Sequence, residues 1–69
     1  MIDKITIEIT ISSNDETTIQ EQKNYAIQEI AKKINNGDDS GYESNNLDEG
    51  HDYYTEFKFF TNRTEGNII

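Results

Sequence analysis

The first residues alternate. Ile5, Ile7, Ile9 and Ile11 are separated by Thr6, Glu8 and Thr10, and a period of two built from β-branched residues predicts a half-buried strand. Its isoleucine face requires a core, whereas its Thr/Glu face suits water. A polar cluster at residues 12–16 ends the pattern. Ser13 and Glu16 have the spacing of a capping box, with Asn14 and Asp15 as alternative caps. Ile19, Ala26, Ile27, Ile30, Ala31 and Ile34 then recur at helical spacing, within a stripe of roughly 140°, the width of a core-facing helix. Lys23 lies inside that stripe, its stem expected to pack and its ammonium to reach water. Tyr25 falls roughly opposite, on the face assigned to solvent. Asp15, Glu16 and Glu21 near the start and Lys32 and Lys33 in the last turn suit the helix dipole. Asn36-Gly37 supplies the stop, Gly37 being the natural left-handed residue after a helix.

Turn-forming residues crowd positions 38–51. A structureless loop of that length is uneconomical in so small a chain, so a short strand near residues 41–44 is expected, turned back through residues 45–50. Residues 52–62 alternate again. Tyr53, Thr55, Phe57, Phe59 and Thr61 share one face, and Tyr54, Glu56, Lys58, Phe60 and Asn62 the other. The elements assemble as β-α-β-β, an α+β fold in which one helix packs on a sheet of two or three strands. A right-handed crossover brings the third element parallel to the first, and the last strand returns antiparallel between them. Ile5, Ile7, Ile9, Ile11, Ile27, Ile30, Ile34, Phe57 and Phe59 are the expected core. The sheet's second face is left open, and an apolar patch there from Ile2, Tyr54 and Phe60 would favour a homodimer.

The chain has 69 residues, which allows one domain over 1–69 and a small core. Hydrophobic residues make up 32%, below the roughly 45–50% of ordinary domains, and the stability balance of such chains comes out near zero. A partner or a second copy is therefore expected to matter. Eleven isoleucines and seven aromatics argue against a disordered tail. No apolar run approaches the ~18 residues of a membrane span, and the N-terminus has no signal-peptide pattern. A cytoplasmic location, within a bacterial host, is the corresponding expectation.

Catalytic and metal chemistry find little support. The chain lacks cysteine, so thiolate nucleophiles and thiolate metal sites are out. His51, within Glu49-Gly50-His51-Asp52, reads as a solvated turn histidine. The glycines at 37, 41, 50 and 66 fit neither a P-loop nor a dinucleotide fingerprint. Asn36, Asp38 and Ser40 before Gly41 imitate the opening of a calcium loop, but the twelfth position is Leu47, which cannot ligate. Asn62-Arg63-Thr64 is a glycosylation sequon in form only. The expectation is a non-enzyme with no catalytic residue, no metal and no cofactor.

Charge changes the picture most. Fourteen acids face six bases, for a net charge of −8. Seven of the acids, and no Lys or Arg, lie between residues 38 and 56. Aromatics accompany them, and aromatics at a surface are typical interface anchors. The candidate partner contacts are Asp38, Asp39, Tyr42, Glu43, Asp48, Glu49, Asp52, Tyr53, Tyr54 and Glu56. Such a surface repels phosphates, so nucleic acid and anionic membranes are excluded as direct ligands. It suits a basic protein, above all one that itself binds nucleic acid.

In length, charge, an Ile/Asn/Lys-rich composition typical of AT-rich genes, and a small αβ layout without catalytic motifs, the chain resembles the small acidic inhibitors that phages and plasmids encode against host defence. These are the anti-CRISPR and anti-restriction proteins, some of them DNA mimics. The resemblance implies a stoichiometric inhibitor of a CRISPR effector, nuclease or similar host protein. An antitoxin or immunity-type protein that neutralises a basic toxin, and a small self-assembling phage structural protein, are the competing expectations.

Overall fold

A computed structural model of the chain describes residues 1–46 and 53–66. Four elements follow in the order β1 (Ile2–Ser13), α1 (Glu16–Asn35), β2 (Ser40–Asn46) and β3 (Tyr53–Thr64). The three strands form one sheet in the order β1-β3-β2. β3 is antiparallel to both neighbours, so β1 and β2 run parallel on its two sides. The expected β-α-β-β arrangement, with the last strand in the middle, is the one observed. The turn expected at residues 45–50 lies, beyond residue 46, outside the described residues.

The helix is closed by its own sequence at both ends. Asp15 is the N-cap. Its Oδ1 accepts from the Thr17 N–H at 3.3 Å and its Oδ2 from the Thr18 hydroxyl at 3.0 Å. Ser13 does not form the capping box its spacing allowed, because it is the last residue of β1 and its Oγ accepts from the Asp15 N–H. At the other end the Gly37 N–H donates to the Ile34 carbonyl and the Asp38 N–H to the Lys33 carbonyl, both at 3.0 Å. This is a Schellman motif, and the φ of 91° at Gly37 explains why glycine stands there.

The register sorts the sheet into two faces. Phe57 lies opposite Ile9 on β1 and Glu43 on β2, while Phe59 lies opposite Ile7 and Gly41. These residues face α1. The buried core is Ala26 and Ile30 from the helix with Phe57 and Phe59 from β3, and Ile9, Tyr25 and Ile34 pack against it partly buried. Gly41 is needed for space. A Cβ there would stand 2.6 Å from the Phe59 ring and 3.0 Å from the Lys33 stem, which passes over it.

The core is narrower than the isoleucine pattern predicts, and the helix is turned. Ile5, Ile7 and Ile27 were expected inside, yet they are 45%, 50% and 58% exposed. Ala31 is exposed as well, whereas Tyr25, expected outside, is half-buried. Two geometric facts account for this. The small residue Ala26 packs in one cluster with the two phenylalanines of β3, and the Tyr25 flank of the helix reaches Glu43 on β2. In addition, a helix of 20 residues is about 30 Å long, whereas strands of 12 residues reach about 40 Å. The β1–β3 ribbon therefore projects beyond the helix, and the molecule is 51 Å long but only 14 Å in its thinnest direction. At the projecting end Arg63 grips Asp3, its cross-strand partner, through two bonds of 2.6 and 2.9 Å. That guanidinium holds the Asp3 carboxyl below its usual range.

Phe57→Ala is expected to cost about 3–5 kcal/mol, a large part of what a domain this small possesses. Ile7→Ala, at a half-exposed edge position, should cost about 1 kcal/mol or less. Gly41→Ala should also destabilise, since the added methyl meets an aromatic ring that cannot retreat. Urea unfolding of the three variants followed by circular dichroism checks this order. A Phe57→Ala protein as stable as Ile7→Ala would refute the core.

Candidate partner-binding face

β3 carries the site because every other residue along it points away from the helix. The open face of the sheet presents Tyr54, Glu56, Lys58 and Phe60 from β3. Thr6, Glu8 and Thr10 from β1 and Tyr42 and Ser44 from β2 lie alongside. Near its middle two phenols converge on one carboxylate. The Tyr54 hydroxyl donates to Glu56 Oε2 at 2.5 Å and the Tyr42 hydroxyl to the same oxygen at 3.4 Å. Tyr54 reaches Glu56 along its own strand, and Tyr42 reaches it diagonally from β2, within the range of long cross-strand side chains. Tyr42 is 62% exposed and Phe60 50%. The bond to Glu56 and the negative charge behind it favour the neutral phenol, and the Tyr54 hydroxyl is pushed up to about 12.

Among the described residues the acidic run does not gather into one face. Tyr42, Tyr54 and Glu56 come together as described. Glu43 and Tyr53 have the opposite parity and face the helix side. There Tyr25 donates to Glu43 Oε2 at 3.1 Å, and burial first, then that carboxylate, raises the Tyr25 hydroxyl above its ordinary value. Asp38 and Asp39 are exposed between α1 and β2, at the level of Thr61, whose N–H donates to the Asp39 carbonyl at 2.7 Å. Asp48, Glu49 and Asp52 lie outside the described residues, as do Leu47 and His51. The open face itself is mixed in charge: Glu8 pairs with its cross-strand neighbour Lys58 at 3.7 Å. Ile2, Tyr54 and Phe60 share the open face but form no single patch. Six positions separate Tyr54 from Phe60, about 20 Å along a strand, and Glu56 and Lys58 stand between them.

One feature escaped the sequence reading. Thr55 is buried, and its hydroxyl donates to Gln22 Oε1 at 2.8 Å. With Tyr25 and Glu43 this makes a polar layer between helix and sheet near β2. Only the turned helix brings Gln22 and Tyr25 inward, and the apolar pattern carried no signal for that rotation. Among the described residues, no group of His, Asp or Glu is arranged to hold a metal ion, and no helix is long and apolar enough to cross a membrane.

A pH titration tests the cluster. The raised Tyr54 value means the folded state prefers the neutral phenol. The contribution is complete below the ordinary phenol value of 10.0 and is lost as pH rises towards about 12. Tyrosinate absorbance should show Tyr54 ionising late, and Glu56→Gln should return it towards the ordinary value. An unchanged titration curve in Glu56→Gln would mean the two groups do not interact in solution. No protein-family model matches the chain, no curated protein matches it in sequence, and no solved structure matches it in fold.

Proposed function

We propose that this protein is a non-enzymatic inhibitor that binds a basic, nucleic-acid-handling host defence protein, such as a CRISPR effector or a nuclease, and blocks it. The observation that carries the reading is the Tyr42–Glu56–Tyr54 cluster on an uncovered sheet face. Two phenols prearranged by one carboxylate offer stacking surface and a fixed acceptor at small entropic cost. An arginine suits both at once, through its planar cation over a ring and its N–H groups to the carboxylate. The net charge of −8 draws a basic partner in and repels free nucleic acid. Asp38 and Asp39, exposed at one end of β2, extend the negative field beyond the cluster.

The test is capture from a bacterial lysate, identification of the bound protein, and kinetics with that protein purified. Tyr42→Ala combined with Tyr54→Ala is expected to speed dissociation about tenfold or more, as for anchors at an interface centre. Asp38→Lys with Asp39→Lys should instead slow association, most at low salt. Glu21→Lys with Gln28→Lys on the exposed side of the helix is the control and should leave the dissociation rate unchanged. Saturating duplex DNA should compete with the protein for its partner. A partner with no affinity for nucleic acid, or tyrosine variants that dissociate at the parental rate, would overturn the reading.

A further inference from the structure

β1 is an edge strand. β3 lies on one side of it, and among the described residues nothing pairs with its other side along Ile2–Ser13. A long edge with alternating apolar residues is an open template for another strand. The exposed isoleucines gather beside it. Ile5 and Ile7 lie on β1 itself, on the helix side of the sheet. Tyr25 bonds to Glu43 on β2, and residues 25 and 27 lie about 200° apart around a helix. Ile27 therefore belongs to the flank of α1 that looks towards the β1 edge.

We infer that the chain forms a two-fold dimer by antiparallel pairing of its β1 edges, with the axis at Thr6. In this register Ile5 lies opposite Ile7 of the second copy, and Ile7 opposite Ile5. Lys4 lies opposite Glu8, and Glu8 opposite Lys4. Thr6 meets Thr6. One strand thus supplies both members of each apolar pair and each charge pair, as an isologous interface requires. The paired residues are of equal parity, so their side chains share a face. The result is a six-stranded sheet in the order β2-β3-β1-β1-β3-β2. Both helices stand on one side, where they flank the isoleucine pairs, and both tyrosine clusters lie on the other.

Electrostatics favour this edge in spite of the charge of the chain. Asp3 is held by Arg63 and Glu8 by Lys58, and β1 supplies one further cation, Lys4. The interface is therefore locally balanced in a chain of net charge −8. The open face has no comparable self-complementarity, since Glu56 and Lys58 divide its apolar residues. The dimer does not depend on the proposed function, because it uses the strand edge and leaves both tyrosine clusters accessible.

Cysteine scanning tests the register cleanly, because the chain contains no cysteine. Sedimentation equilibrium at tens of micromolar should give twice the chain mass of 8.0 kDa. Under mild oxidation Thr6→Cys should form a covalent dimer, since directly opposed Cβ atoms approach closely enough for a disulfide. Thr10→Cys, which lies opposite Ile2, should not. Lys4→Glu and Glu8→Lys should each weaken self-association about tenfold, having placed like charges opposite one another twice. Mixing the two variants should restore it, because the mixed dimer regains both opposite-charge pairs. Far-ultraviolet circular dichroism confirms that each variant is folded. A parent that remains monomeric, a Thr10→Cys protein that cross-links as readily as Thr6→Cys, or a mixture that associates no better than its components would overturn the inference.

Discussion

The position of α1 is fixed by one contact, the seating of Ala26 and Ile30 on Phe57 and Phe59. A methyl at position 26 lets the helix come close to the sheet, and the missing side chain at Gly41 leaves room for the Phe59 ring and the Lys33 stem above it. With the helix seated on the central strand, every remaining apolar group is either within its reach or not. Ile9 and Ile34 are, and become partly buried. Ile5 and Ile7 are not. The exposure of half the isoleucine face of β1 is thus a consequence of where the two phenylalanines sit.

The same seating decides the chemistry of both faces. Leaning towards β2 brings Gln22 over Thr55 and Tyr25 over Glu43. Polar groups that would be costly to bury alone are paired as they enter. A helix covers only one side of a sheet, so the alternate residues of β3 remain in water. There Glu56 accepts from Tyr42 and Tyr54 and orders them. The open tyrosine face and the polar layer are therefore two sides of one alternation, and substituting one residue of β3 affects one side at a time.

Much of this was legible in the chain. Period-two spacing located β1 and β3, the Asn36-Gly37 stop located the end of α1, and aromatic alternation placed Tyr54 and Glu56 together on the open side. What the pattern misjudged was rotation. Apolar spacing defines a stripe but carries no information about the sheet beneath it, and it treats Ala26 and Ile27 as equal contributors. Close packing distinguishes them, because the smaller residue permits the nearer approach. The described part of the acidic segment is divided for a related reason. Seven carboxylates adjacent in sequence look like one surface, yet strand parity sends Glu43 and Glu56 to opposite faces. The turn before β2 carries Asp38 and Asp39 to the far end of that strand.

Charge placement then separates the roles of the two sheet edges. A net charge of −8 works against any contact between copies, and the penalty falls where uncompensated acids meet. The bases counter it locally: Lys58 and Arg63 on β3 are spent on Glu8 and Asp3 of β1, while Asp38 and Asp39 stand exposed beside the start of β2. The edge richest in exposed isoleucine is thus also the one whose carboxylates are neutralised from within the chain. The opposite edge is bordered by Asp38 and Asp39, which form no salt bridge among the described residues. An apolar strand can meet a copy of itself only where repulsion is already cancelled, and a basic partner is attracted only where it is not. Two of the six cations, Lys58 and Arg63, stand on the central strand within reach of β1, and that placement is what separates the proposed dimer edge from the acid-bordered one.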